Sequence, residues 1–317
     1  MKSIEIVVPC FNEEECIDPF IASVSEIMGA DQGNYAWSII FVDDGSTDRT
    51  LEKIKKNIIE INETGKIKYV SFARNFGKEA AMYAGLERSV ADYVVVMDVD
   101  LQHPPELIPE MLNILENEDY DCVGTQRISR IGEPIVKSTL SRVFYYAINW
   151  ITGIKLVPGM TDYRIMKRKV VDSIVSMRER ERFTKGIYSW IGFRTKWIEY
   201  ENVERERGTS KWSIKSLVSY AGSGFIAFAT TPLRGVVYIG MMVVLISFVY
   251  AIKLLIQTRT GVRMWQDTTT IILLLLFIGG TIITVLGLVG EYIARIYMEV
   301  KGRPIYIERE TNLEYYT

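Results

Sequence analysis

Residues 92–106 read DYVVVMDVDLQHPPE. A run of valines ends abruptly in two carboxylates, a glutamine, the only histidine of the chain and a proline pair. The run reads as a strand apolar on both faces, and such strands belong to parallel sheets covered by helices. The proline pair opens a helix, because proline fits a first helical turn. The same grammar recurs on either side. IEIVVP (4–9), WSIIFVD (37–43), KIKYVSF (66–72) and DCVG (121–124) read as further strands. Helical stretches fall between them at 13–29, 48–62, 78–89 and 105–118. The first 125 residues are therefore α/β with a mostly parallel sheet.

Ligands of such sheets bind beyond the carboxyl ends of the strands. Those ends read PCFNEE, VDDGSTD, FARNFGKE and DVDLQHPPE, each more polar than a connector needs. Neither a dinucleotide glycine fingerprint nor a phosphate-cradling GxxxxGK[ST] follows any of them. Asp98 and Asp100 can face one ligand only if the chain turns between or around them. With Gln102 they form an oxygen-only set suited to Mg²⁺ or Mn²⁺ bridging to phosphate oxygens. Such an ion neutralises charge on a leaving diphosphate. A lone DxD followed by Pro-Pro is more simply the start of a helix. VDDGSTD at an equivalent strand end shifts the balance, with Asp43 and Asp44 placed for a base and ribose. Ser46, Thr47 or Asp48 then cap the next helix. His103 is read as a supporting residue, since these hard cations take carboxylates and phosphate oxygens.

Charge is divided unevenly. Residues 1–126 carry 10 Lys/Arg against 24 Asp/Glu, whereas residues 127–211 carry 18 against 9. An acidic half followed by a basic one implies two binding tasks, the second toward a nucleic acid, a membrane surface or a phosphorylated substrate. Three cysteines, odd in number and without metal spacing, suit a reducing compartment. MKSIEIVVPCFNEEE has too short an apolar run for a signal peptide. Downstream, GVVYIGMMVVLISFVYAIKLLI (235–256) and TIILLLLFIGGTIITVLGLVG (270–290) are each long enough to cross a hydrocarbon core. Lys215, Arg234, Arg295, Lys301 and Arg303 flank this hairpin, against Arg259 and Arg263 in its loop, which places the N-terminal domain and both termini in the cytoplasm. The stretches 138–153 and 213–229 have an apolar stripe at helical period beside tyrosines and tryptophans, and read as helices in the membrane interface.

PCFNEE, VDDGSTD, ARNFGKEAA, DVDLQHPPE, TDYRIM and RGTSKW, in this order and followed by GEYIARIYMEVKGRPIY, resemble the GT-A glycosyltransferases of family two. More narrowly the chain is similar to the polyprenyl-phosphate branch, which includes dolichol-phosphate mannose synthases and bacterial undecaprenyl-phosphate glucosyltransferases. The resemblance implies a Rossmann-like GT-A domain over 1–212, with a nucleotide-sugar and metal half (1–126) and an acceptor-side half (127–212). An interfacial helix (213–231), a two-helix transmembrane hairpin (232–294) and a cytoplasmic tail (295–317) follow. It implies transfer of a hexose from a nucleotide diphosphate sugar to a polyprenyl phosphate, metal-dependent and with inversion, at the inner (plasma) membrane.

Residue by residue, the resemblance puts Pro9, Asn12, Glu13, Asp43, Asp44, Arg74, Lys78 and Asp98 around the nucleotide sugar. Asp98, Asp100 and Gln102 take the metal. Asp162 stands near the acceptor, with Arg207 and Lys211 joining it and Asp100 in catalysis, and Arg127, Arg130 and Arg164 hold the acceptor phosphate. A phosphomonoester carries close to two charges at neutral pH, which suits the basic second half. Because that acceptor is already anionic, Asp162 is read as an orienting residue first and a base second. The bacterial resemblance favours UDP-glucose as donor and undecaprenyl phosphate as acceptor, with no nucleic acid. A two-span hairpin buries little protein surface by itself, which favours homo-oligomers. Three other functions compete. A processive polysaccharide synthase needs more spans and usually QxxRW. A nucleotidyltransferase would not need an interfacial basic platform, and a non-catalytic nucleotide-binding membrane adaptor would not need DVD and VDDGS intact.

Overall fold

The computed structural model describes residues 1–31, 33–61, 66–127, 156–180, 182–200 and 268–313, together with helical positions at 240, 242, 245, 249 and 252. The chain divides into two compact units, Met1–Ala227 with Pro304–Thr317, and Phe228–Arg303. In the first, strands β1 (Lys2–Cys10), β2 (Tyr35–Asp43), β3 (Ile67–Phe72) and β4 (Tyr93–Val96) alternate with helices α1 (Ile17–Ala30), α2 (Thr50–Ile61) and α3 (Lys78–Arg88). Helix α4 (Leu107–Asn117), β5 (Cys122–Arg127), β6 (Met160–Lys167), α5 (Arg168–Ser176), α6 (Thr184–Trp190), β7 (Thr195–Tyr200) and β8 (Glu308–Thr311) complete it.

The eight strands form one sheet in the order β7-β5-β6-β4-β1-β2-β3-β8. The four strands β4-β1-β2-β3 are parallel, as their two-sided apolar runs require. Alternation along β1 shows why. Ile4, Ile6, Val8 and Cys10 join a core with Phe20 and Val24 of α1 and Met111 of α4. Val7 points to the opposite face, against α3. A Cβ on Gly85 of α3 would stand 2.2 Å from Val7 Cγ1, so only glycine lets that helix close on the sheet.

Two strands run against this pattern. β6 is antiparallel between β4 and β5, and β8 is antiparallel at the outer edge of β3. The tail, expected to be a separate segment over 295–317, thus supplies an edge strand of the catalytic sheet. Cys10, Cys16 and Cys122 are buried, and none of them forms a disulfide.

In the second unit, α7 (Thr268–Val300) is apolar and long enough to cross a membrane over Phe277–Val300, with a mean hydropathy of 1.7 and none of that window buried. It covers the expected second span and runs ten residues further. Met242, Leu245, Val249 and Ile252, helical and exposed, fall in the expected first span. The other residues of that span, and both expected interfacial helices, lie outside the described residues.

Candidate active site

The described site stands at the carboxyl ends of β1, β2, β3 and β4. Among the described residues two that are not glycine hold a positive φ, Asn12 (53°) after β1 and Leu101 (56°) after β4. A leucine with a positive φ is a sterically costly conformation that persists where surrounding structure enforces it. Here it marks the turn that the DVDLQ spacing demanded. Val99 goes into the core while Asp98 and Asp100 stay half-exposed on the outer side. Asp100 Oδ1 then accepts the Gln102 backbone N–H at 3.2 Å.

Lys78, in the first turn of α3, crosses to this turn. Its ammonium lies 2.7 Å and 2.8 Å from the two oxygens of Asp98 and 3.2 Å from Asp162 Oδ2, across from it on β6. Burial alone would raise both carboxyls and lower the amine, but the mutual charges win. Asp98 and Asp162 are held below the usual carboxylate range, and Lys78 above its own. Asp162 Oδ1 is buried without a hydrogen-bond partner.

Asn12, Glu13, Asp43 and Asp44 build the neighbouring loops. The Asn12 backbone N–H donates to Ser46 Oγ at 2.9 Å, and its Oδ1 accepts from the Thr47 N–H at 2.8 Å. The Glu13 backbone N–H donates to Thr50 Oγ1. Asp43 accepts from the Ser46 N–H and the Ser71 hydroxyl. Asp44 accepts the N–H groups of Phe76 and Gly77 at 2.6 Å and 2.9 Å, tying the Arg74 loop down, and burial pushes its carboxyl up to about 6. A Cβ on Gly45 (φ 68°) would meet the Arg74 backbone at 2.5 Å, so these two loops touch only through glycine. Of the three capping candidates, Asp48 caps α2, taking the N–H and hydroxyl of Thr50. Pro9 is buried in β1 opposite Val42. Arg74 is exposed, its guanidinium 4.0 Å from the Phe76 ring centroid.

One expectation changes. Arg164, expected at the acceptor phosphate, is 1% exposed. Its guanidinium lies 3.4 Å from the Tyr188 ring centroid and donates to the Thr161 carbonyl. From the centre of β6 it faces aromatic packing rather than a ligand. His103 takes a supporting place behind the turn. It is 2% exposed, with Nδ1 2.7 Å from the Tyr200 hydroxyl and Nε2 3.7 Å from Asp98 Oδ2. Arg127 Nε donates to the same hydroxyl at 3.0 Å, and its Nη2 approaches Gln102 Oε1 at 3.5 Å. The phenolic proton is then directed to His103 Nδ1, which leaves the imidazole hydrogen on Nε2, facing Asp98. Asp98, His103, Tyr200, Arg127 and Gln102 close a ring around the DVDLQ turn. The family resemblance brought Arg127 into view, but no local signal pointed to Tyr200, which reaches the site by strand pairing. Arg130, Arg207 and Lys211 lie outside the described residues.

The donor chemistry fits a hard divalent cation. Among the described residues no three side chains of the Asp, Glu, His and Cys types cluster as a metal cage. Asp98, Asp100 and the Gln102 amide instead offer a few oxygens on one turn, the arrangement of a cation that keeps substrate oxygens in its shell.

Residues 5–175 match the family model Glycosyl transferase family 2, and residues 231–296 match GtrB C-terminal hairpin. The chain is 40% identical to a putative glycosyltransferase, CsbB, of Bacillus subtilis over 98% of this chain and 92% of that one. It is 38% identical to the bactoprenol glucosyl transferase of Shigella phage SfII over 98% of each. Among solved structures, glucosyl-3-phosphoglycerate synthase from Mycobacterium tuberculosis, crystallised with Mn²⁺ and UDP-glucose, has a TM-score of 0.46 at 19% identity, covering 70% of this chain and 76% of that one. The mixed sheet, the polar strand ends, the two family models and the full-length relatives lead to one statement: the chain belongs to glycosyltransferase family 2, has the GT-A fold, and is a glycosyltransferase of the branch that carries the GtrB C-terminal hairpin.

Proposed function

We propose that the protein transfers glucose from UDP-glucose to undecaprenyl phosphate at the cytoplasmic face of the inner membrane, with inversion at the anomeric carbon and dependence on Mg²⁺ or Mn²⁺. The observation that carries the reading is the Asp98–Lys78–Asp162 constellation beside a left-handed DVDLQ turn, in a chain matched end to end by a bactoprenol glucosyl transferase. Asp98, Asp100 and Gln102 would hold the cation, which when bound offsets charge on the leaving diphosphate.

The remaining work falls to the chain's own groups. Arg74 offers an exposed cation on the donor side. Lys78 keeps Asp98 and Asp162 ionised and fixed relative to one another. A phosphate oxygen of the acceptor forms the new bond to the anomeric carbon on the face opposite the diphosphate. The anomeric C–O bond breaks, and its electron pair leaves with UDP. The attacking oxygen is already anionic, so no proton has to move. Asp162, held below the usual carboxylate range, is poorly matched to take a proton at neutral pH, which supports orientation over base catalysis. Positioning and electrostatics then supply most of the rate.

The membrane part of the reading has separate support. The hairpin family model covers 231–296, and α7 is apolar enough to cross. Detergent-purified protein is incubated with undecaprenyl phosphate and a panel of UDP- and GDP-sugars, with and without Mn²⁺, and the product is weighed by mass spectrometry. The expected result is a metal-dependent hexosyl lipid from UDP-glucose. No glycolipid from any donor would overturn the proposal.

A further inference from the structure

Helix α6, TKGIYSW, follows Arg182 and Phe183, and from Arg182 to Tyr188 every residue is buried except Lys185. Its ammonium makes no hydrogen bond or ion pair among the described residues. A lysine set into a buried run normally either reaches a carboxylate or extends into solvent. The direction of this one follows from its neighbours. Lys185 and Tyr188 are three apart on one face of α6. The Tyr188 ring covers Arg164, and Arg164 and Asp162 are two apart on one face of β6. The face of α6 that lays Tyr188 on Arg164 therefore carries Lys185 alongside Asp162. The electrostatics agree: after Lys78, the Lys185 charge is the strongest influence holding the Asp162 carboxyl down.

Among the described residues Asp162 pairs with Lys78 and not with Lys185, and Asp162 and Lys185 each bring an unused group. Asp162 brings a buried oxygen, Oδ1, with no hydrogen-bond partner, and Lys185 brings a cation with no counter-ion among the described residues. An ionised Asp162 whose Oδ1 has no hydrogen-bond partner would repel a phosphate arriving beside it unless a cation faced that phosphate. Arg164 cannot serve, since it lies buried beneath Tyr188. We propose that Lys185 binds the phosphate of the lipid acceptor and seats it beside Asp162. The inference deepens the function proposed above and rests on it. It assigns to α6 the role that sequence reasoning gave to Arg164.

The test separates acceptor from donor. Full-length wild type, Lys185→Ala and Lys185→Arg are assayed with UDP-glucose and undecaprenyl phosphate, each substrate varied in turn. Loss of one charge-assisted phosphate contact is expected to raise the acceptor KM about tenfold or more in Lys185→Ala, with the donor KM within about twofold of wild type. Lys185→Arg should recover most of the acceptor affinity, because a guanidinium also binds phosphate. An unchanged acceptor KM, or equal rises for both substrates, overturns the assignment. If wild type forms no glycolipid at all, the transferase reading is what fails. Direct binding of undecaprenyl phosphate in detergent micelles then decides the inference: weaker binding by Lys185→Ala sustains it, and equal binding overturns it.

Discussion

Lys78 joins two carboxylates from different strands, and removing either affects it differently. Asp100 stands outside that bridge, its Oδ1 accepting the Gln102 N–H, and in the proposed function it serves the cation end of the turn. Asp100→Ala should abolish turnover, while Asp162→Asn should leave a measurable residual rate, because an asparagine still orients the acceptor. Equal loss in both variants, with Mn²⁺ binding intact in Asp162→Asn, would reverse that ranking. Tyr200→Phe removes the hydroxyl shared by His103 and Arg127 and frees both sides of the DVDLQ turn. Mn²⁺ affinity, measured by titration calorimetry in the presence of UDP, should fall about tenfold, the usual effect of losing a group that orients metal ligands. Unchanged affinity would reduce the ring to packing. Asp44 gives a pH signature of opposite sign to Asp98 and Asp162. The two lowered carboxyls contribute stability at neutral pH that is lost as pH falls through their folded values. The Asp44 carboxyl, raised from 3.8 to about 6, adds stability as pH falls through 6. Asp44→Asn lacks that gain, so the stability gap between wild type and variant should widen by about 1–2 kcal/mol from pH 7 to pH 4.5. Denaturant melts at the two pH values check this, and a constant or narrowing gap contradicts it.

Among the elements, β8 depends most on distant parts of the chain. Tyr306 stacks on Phe72 with ring centroids 4.8 Å apart and donates to Glu87 of α3, while Glu308 takes a hydrogen bond from Arg88 at the end of the same helix. Ile305 and Leu313 pack on the cluster formed by Ile40, Val70, Phe72 and Ala84. The returning segment therefore braces α3, the helix that presents Lys78. Tyr306→Ala should lower stability by about 2 kcal/mol, as truncation of a partly buried aromatic in a pair does. At about 2–4 °C per kcal/mol for a unit of this size, the melting temperature should fall by several degrees. An unchanged melting temperature would make β8 an ornament of the edge. The same contrast explains which elements could be read from sequence. β1 to β4 and their helices announce themselves through apolar runs and polar ends, and observed bounds differ from expected ones by a few residues. β6 hides because TDYRIMK mixes charge with apolar residues. Its inward Arg164 breaks the alternation that identifies a strand. β8 hides because ERET gains its order from pairing with Val70 and Ser71, some 240 residues earlier. Within the site, the acidic strand ends were legible as types and spacing. The Lys78 bridge and the His103–Tyr200–Arg127 ring exist only once the sheet brings distant segments together.

At the scale of the whole molecule, the return of the chain to its first unit constrains the membrane topology. Chain before residue 228 and chain from Pro304 onward belong to one compact unit, with β8 hydrogen-bonded to β3. A single crossing between those points would leave the two parts of that sheet on opposite sides of the bilayer. The number of crossings must therefore be even, and if α7 crosses, a second crossing lies in 228–267. The stretch 235–256 has the length for it. In the proposed orientation the loop between them is outside, while Lys301 and Arg303 remain inside, as positive charge favours. Cysteine labelling tests this without disturbing the fold, because Cys10, Cys16 and Cys122 are all buried and react slowly under native conditions. Thr260→Cys should react with a membrane-impermeant maleimide on intact cells, and Lys301→Cys only after the membrane is opened. Labelling of both positions on intact cells, or protection of both, would break the even-crossing topology. With it would go the placement of the active site on the face where nucleotide sugars are available.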